Sequence, residues 1–236
     1  MGKLKCTAII LCAGQGKRMR TNVQKQYLNI ADRPVVYYAL RAFQNTPIID
    51  EIILVVGEGQ ELFCRNEIVD QYNLDKVTAV VEGGKERYHS VLAGLKCTPE
   101  NGYVFIHDGA RPLVTEDIIK RAYEEVKQYD ACAVGMPVKD TIKKIDKKGF
   151  AVETPDRETL WLIQTPQVFK TELIKAAYQR LMLEPTIQVT DDAMVVEQML
   201  RHPVKLVEGS YENIKITTPE DLEVARIFLN DEILSK

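Results

Sequence analysis

The chain has 236 residues, 45% hydrophobic and 28% charged, with 31 Lys and Arg against 34 Asp and Glu and a formal net charge of −3. This size and composition predict an ordinary globular α/β protein with a single domain over residues 1–236. Near-balanced charge gives no global field for nucleic acid or an anionic membrane, so any anion site must be local. No apolar run reaches transmembrane length, and the run from Ala8 to Ala13 is too short and too early for a signal peptide, which predicts a cytoplasmic protein. The five cysteines form no C-x-x-C pair and the three histidines no H-x-x-x-H pair, which predicts reduced, packed thiols and no zinc enzyme.

In chain order, the first strand is predicted at 7–13, and it runs into Ala13-Gly14-Gln15-Gly16-Lys17-Arg18-Met19. Two glycines followed by two cations suit a phosphate chain, because they combine close backbone approach, N–H donors and positive charge. A P-loop would need four residues between its glycines and Ser or Thr after the Lys, where Arg18 stands. The dinucleotide fingerprint would need a third Gly where Met19 stands. The usual ATPase and dehydrogenase signatures are therefore absent.

Further strands are predicted at 51–56, 77–82, 103–107 and 131–138, then at 204–208 and 213–216. Helices are predicted near 34–45, 60–72, 87–97, 115–129, 171–183, 191–201 and 219–230. Pro34 suits a first helical position, Thr115 caps a first turn holding Glu116 and Asp117, and Thr218 caps with Pro219 following. A continuous apolar run such as Ile52 to Val56 is buried on both faces. It predicts a Rossmann-like α/β fold: a mostly parallel twisted sheet flanked by helices. Ligands of such sheets bind at the carboxyl ends of the strands.

The interval from Lys139 to Leu160 breaks this pattern. Sparse Ile142 and Ile145, the turn signal Lys147-Lys148-Gly149 and the resumed strand chemistry of Phe150 to Thr154 predict a protruding β-hairpin. Such a hairpin is either a solvated excursion or an arm that pairs with another subunit.

Three constellations follow predicted strands. In His107-Asp108-Gly109-Ala110-Arg111-Pro112, a strand-end carboxylate is well placed to hold Mg²⁺ beside a phosphate, with Arg111 orienting it; a loop cap with a salt-bridge partner is the other reading. In Glu82-Gly83-Gly84-Lys85-Glu86-Arg87-Tyr88-His89-Ser90, paired glycines let a planar base lie on the main chain, and Ser90 can hydrogen-bond it; an ordinary strand-to-helix turn is the other reading. Lys215, in the strand predicted at 213–216, either faces solvent or points into a site.

The ordered motifs Ala13-Gly14-x-Gly16-x-Arg18-Met19, Lys25-Gln26-Tyr27, Gly83-Gly84-x-x-Arg87-x-x-Ser90-Val91, His107-Asp108-x-Ala110-Arg111-Pro112, Asp140-Thr141, Asp156-Arg157, Thr165-Pro166-Gln167, Thr190-Asp191-Asp192 and Asn213-Ile214-Lys215 carry a resemblance. Together they resemble the 2-C-methyl-D-erythritol 4-phosphate cytidylyltransferases, over nearly the whole chain. The resemblance implies that CTP and 2-C-methyl-D-erythritol 4-phosphate react to give CDP-methylerythritol and pyrophosphate, a step of the non-mevalonate route to isoprenoids. It implies catalytic roles for Arg18, Lys25 and Lys215, and a nucleotide site of Ala13, Gly14, Gly16, Gly84, Arg87, Ser90 and Asp108. Asp108 would also carry Mg²⁺, with Mn²⁺ a possible substitute, while Arg111, Thr141, Arg157 and Thr165 would bind the polyol phosphate. A homodimer through the arm is implied too. A sister enzyme using ribitol 5-phosphate shares this pattern, but Ala110 and Leu160-Trp161 look more like the erythritol enzyme. A silent nucleotide-binding module would be expected to lack Arg18, Lys25 or Lys215, and all three are present.

Overall fold

Strand β1, Cys6–Cys12, sends alternate side chains into two different cores, and this alternation makes the sheet the middle layer of a sandwich. The computed structural model describes residues 3–14, 24–184 and 187–234, with side chains through residue 229. After β1 come the short strands β2 (Asn29–Ile30) and β3 (Arg33–Pro34), then helix α1 (Val35–Asn45), β4 (Glu51–Val56), α2 (Glu61–Cys64), β5 (Val77–Glu82) and α3 (Arg87–Leu95). The second half adds β6 (Tyr103–Asp108), α4 (Glu116–Tyr129), β7 (Ala131–Pro137), β8 (Lys144–Ile145), β9 (Ala151–Glu153) and β10 (Trp161–Lys170). It closes with α5 (Thr171–Leu181), α6 (Asp192–Leu200), β11 (Lys205–Glu208) and α7 (Pro219–Leu234).

Seven strands form the main sheet in the order β11-β7-β10-β6-β1-β4-β5. All neighbours are parallel except β10, which runs antiparallel to both β6 and β7. Ala8, Ile10, Ile52, Leu54 and Phe105 point to the face covered by α1, α2 and α4. Ile9, Ile53, Val55, Val104 and Ile106 point to the face covered by α3, α5 and α6. A third cluster joins Ile30, Val35, Leu113, Ile216 and Ala225, and so ties α7 to the segment before it.

The expected parallel sandwich is present, with instructive departures. Nothing in the sequence had marked 161–170 as a strand, because Pro166 removes a ladder donor. The strand accommodates it through a register shift between Ile163 and Gln167 and a cis Thr165–Pro166 bond. The strand expected at 213–216 is instead an extended loop, held by Ile216 N–H donating to the Ala110 carbonyl at 2.8 Å. The helix expected over 60–72 is one α-turn at Glu61–Cys64 followed by wider π-turns at Arg65–Asp70, which carry Ile68 and Val69 into the core. Pro34 lies just ahead of α1 rather than in it. Thr115 caps α4 as expected, accepting from the Ile118 N–H at 3.4 Å. Thr218 sits before α7, but the bonds there run to the Asp221 carboxylate, which accepts from the Thr217 and Thr218 N–H groups at 2.7 and 2.9 Å.

The hairpin forms where expected. β8 pairs antiparallel with β9, and Asp146 Oδ1 accepts from the Lys148 and Phe150 N–H groups across the turn at 2.8 and 2.9 Å. Its base is closed by Val138 N–H donating to the Leu160 carbonyl at 3.0 Å. The core side chain most diagnostic of the unanticipated strand is Phe169 of β10, which is fully buried. Phe169→Ala should lower the unfolding free energy by about 3–5 kcal/mol, read as a shift of the urea midpoint. A shift too small to resolve would show that β10 adds little to the core.

Candidate active site

Sheet order places the ends of β6, β1, β4 and β5 side by side, and the sequence runs out of each into a polar segment. Gly83 explains how two of these segments meet. A side chain there would collide with Ala13 Cβ and Ser90 Oγ, each 2.6 Å from the position of its first carbon. Only glycine therefore lets the end of β5 lie against the end of β1. Gly84 N–H donates to Ser90 Oγ at 3.2 Å, and any Cβ on Gly84 would strike His89. Ala13, Gly84 and Ser90 are thus brought together. Gln26 fastens the adjoining turn, its buried amide donating to the carbonyls of Cys12 and Gly14. Gly16 and Arg18 lie outside the described residues.

Asp108 is the electrostatic centre. It closes β6, is 8% exposed, and faces cations from three separate segments. Lys215 Nζ stands 2.7 Å from Oδ2, Arg87 Nε 3.5 Å from Oδ1, and Arg111 Nε 4.0 Å from Oδ2. Burial alone would raise the Asp108 pKa, but Arg87, Lys215 and Arg111 outweigh it and hold the carboxyl well below the usual range. Lys25 is beside this cluster through the chain: its ammonium donates to the Ile216 carbonyl at 2.7 Å, one residue after Lys215. The three described cations that the sequence assigned to the nucleotide or to catalysis, Lys25, Arg87 and Lys215, are therefore gathered at one place.

Behind Asp108 runs a chain of hydrogen bonds. Asp108 N–H donates to Thr165 Oγ1 at 3.1 Å, and that hydroxyl lies 3.0 Å from His107 Nδ1. His107 Nε2 lies 3.1 Å from the Arg111 carbonyl, which can only accept, so Nε2 carries the proton and Nδ1 accepts from Thr165. Thr165 is thus engaged in holding the strand end, and Arg111 donates to the Asn213 carbonyl at 2.8 Å. Thr141 and Arg157 are exposed on the arm, with Arg157 Nη1 3.5 Å from the Lys139 carbonyl at its base.

Several site residues had no role in the sequence. Asn213 is fully buried and donates to Gln164 Oε1 and the Thr165 carbonyl at 3.2 and 2.9 Å, which sets the start of the Lys215 loop. Asp192, Gln167 and Tyr178 form a second buried network around the Arg87 guanidinium. Paired acids before a helix read as caps, and Asp191 is one. Asp192 faces inward instead, and only its place among the recurring motifs hinted at this.

The fold and the site define a class: a doubly wound α/β protein with cations and glycines gathered at the carboxyl ends of its strands. The family model for 2-C-methyl-D-erythritol 4-phosphate cytidylyltransferase matches residues 6–231. A relative of that name from Lachnospira eligens is 52% identical over 224 residues, covering 94% of this chain and 98% of its own length. Another from Lachnoclostridium phytofermentans is 48% identical over 227 residues, covering 96% and 97%. The crystal structure of 4-diphosphocytidyl-2C-methyl-D-erythritol synthase from Anaerococcus prevotii superposes with a TM-score of 0.84 at 33% identity, covering 96% of each chain. The chain belongs to the 2-C-methyl-D-erythritol 4-phosphate cytidylyltransferase family.

His107 gives this site a pH limit. Burial lowers its pKa from 6.5 to about 4, so the unfolded chain takes up a proton at pH values where the native imidazole stays neutral. Its contribution is complete above pH 6.5 and is lost as pH falls toward 4, on the order of 3 kcal/mol in all. Urea unfolding across that window should therefore show a flatter pH dependence for His107→Gln than for the wild type. Equal slopes would mean that the imidazole is charged in the native state.

Proposed function

We propose that the strand-end cluster transfers a cytidylyl group from CTP to 2-C-methyl-D-erythritol 4-phosphate, giving CDP-methylerythritol and pyrophosphate, a step of the non-mevalonate route to isoprenoids. The observation that carries it is the gathering of Lys215, Arg87 and Arg111 on Asp108, with Lys25 on the Ile216 carbonyl beside Lys215, at the glycine-lined end of a parallel sheet. An oxygen of the polyol phosphate attacks the α-phosphorus, a new P–O bond forms, and the bond to the β-phosphate bridging oxygen breaks. Pyrophosphate leaves with the electron pair. The attacking phosphate is already anionic, so no general base is needed, and positioning and electrostatics carry the rate. Lys25 and Lys215 stabilise the charge that develops at the α-phosphate. Main chain at Ala13, Gly14 and Gly84, with Ser90, reads cytosine and ribose.

Asp108 is the one carboxylate at the strand end facing this cluster, and no group of three His, Cys, Asp or Glu side chains gathers as a metal cage among the described residues. That donor set fits Mg²⁺, which is commonly held by one or two carboxylates plus substrate phosphates. Bound there through Asp108, Mg²⁺ would neutralise triphosphate charge. Five cysteines without a disulfide support a reducing, cytoplasmic setting, and among the described residues no helix is long and apolar enough to cross a membrane.

The arm supports a homodimer. Ile145, Phe150 and Val152 are 61%, 69% and 60% exposed, which is unusual for a two-stranded ribbon that is marginal alone in water. A twofold partner would cover them and make the exchange reciprocal. Thr141 and Arg157 would then meet the polyol phosphate at a site completed between two chains.

Offering CTP with methylerythritol phosphate or ribitol phosphate, and measuring pyrophosphate release, tests the reaction; turnover is expected with the first. Lys215→Ala should reduce kcat about 100-fold or more while the unfolding midpoint stays near that of the wild type. Near-normal turnover would make Lys215 a surface lysine. In the same assay a chelator should abolish turnover, and Asp108→Asn should raise the Mg²⁺ concentration required.

Subunit mixing tests the arm. Thr141→Ala and Lys215→Ala, each inactive alone, should regain activity on reassembly, because one of the two sites in a heterodimer carries both intact residues. Heterodimers that form but stay inactive would place Thr141 in its own chain's site.

A further inference from the structure

Asp192 is a fully buried carboxylate (0% exposed), and such a group persists only when paired. It does not cap its helix: Asp191 does so, with Oδ1 accepting from Met194 N–H at 2.9 Å. Asp192 instead accepts both arms of the Arg87 guanidinium, Nη1 at 2.9 Å and Nη2 at 2.7 Å, and the Tyr178 hydroxyl at 2.6 Å. Gln167 Oε1 on β10 accepts from the N–H groups of Asp192 and Ala193, each at 2.9 Å, and so anchors the start of α6 to the sheet. Arg87 therefore meets two carboxylates in different ways. Its fork is taken by Asp192, and only Nε is left for Asp108, at a looser 3.5 Å.

We infer that Asp192 is a positioning residue, which holds the fork of Arg87 away from Asp108 and so keeps Asp108 open toward the nucleotide. A guanidinium fork is shaped to grip a carboxylate through two parallel bonds. Deprived of Asp192, Arg87 has Asp108 as its other carboxylate, and turning its fork there would close off Oδ1, the oxygen that Lys215 does not take. Tyr178 and Gln167 serve the same end, because they fix Asp192 itself.

This inference rests on the reading that Asp108 faces the nucleotide. Asp192→Asn removes a negative charge from a site for a triphosphate, so if Asp192 mattered only through its charge, CTP would bind more tightly. If Asp192 mattered only to stability, the melting temperature would fall and CTP affinity would stay within about twofold. Positioning predicts the opposite of the first: CTP binding with Mg²⁺ present, measured by calorimetry without the second substrate, weakens about tenfold. It also predicts that Asp192→Asn adds less than about a twofold loss in an Arg87→Gln background, because the effect passes through Arg87.

Tighter binding, unchanged binding, or losses that add in the double variant would each overturn the inference. If Asp192→Asn does not fold, Tyr178→Phe decides, because it removes the hydroxyl that fixes Asp192 and leaves every charge in place. CTP affinity about threefold weaker is expected, and wild-type affinity overturns the inference. Asp108→Asn separates the two levels. Unchanged CTP binding in that variant would remove the reading of Asp108 and the inference with it. A weakened Asp108→Asn beside an unaltered Asp192→Asn would remove the inference alone.

Discussion

A nearly buried carboxylate at the end of a central strand obliges the rest of the molecule to supply cations and to hold them still. Asp108 takes Lys215 from the loop before α7, Arg87 from the first residue of α3 and Arg111 from its own strand-end loop. Each donor is itself secured. Arg87 is gripped by Asp192, Arg111 donates to the Asn213 carbonyl, and Ile216 beside Lys215 bonds to Ala110 and receives Lys25. Charges in a poorly solvated place act strongly, but only where their geometry costs nothing to assemble when the ligand arrives.

The helices and the parallel strands were legible because they rest on local signals. The buried stripe of Val35, Val36, Ala39, Leu40 and Phe43 follows the helical period, and Ile52 to Val56 is a continuous apolar strand. The glycines at the strand ends were legible for the same reason, since close approach excludes every other residue type. What escaped depends on partners remote in sequence. β10 is a strand because β6 and β7 lie on either side of it, and those neighbours override what Pro166 says locally. Lys215 reaches Asp108 from a loop, so its surroundings are set by Asn213, Thr165 and Ala110 rather than by the alternation of a strand.

The second buried network shows the same limit more sharply. Asp191 and Asp192 are adjacent and chemically identical, yet one caps a helix and the other grips an arginine more than a hundred positions away in sequence. No local pattern separates them. The difference lies in which carboxylate the first turn of α6 rotates toward the sheet, and Gln167 sets that rotation from β10.

The arm leaves from β7 and returns as β10, so its root lies in the interior of the sheet and not at an edge. On the return, chain that is exposed at Leu162 becomes Thr165, behind Asp108, after only three residues. A single residue inserted between them would turn Thr165 to the opposite face of its strand and separate it from His107 and from the Asp108 N–H. A residue added at the Lys147-Lys148 turn would leave that register untouched. A change in the length of this projection is therefore tolerable only toward its far tip, while its stem is fixed to the residue count by the chemistry at its foot.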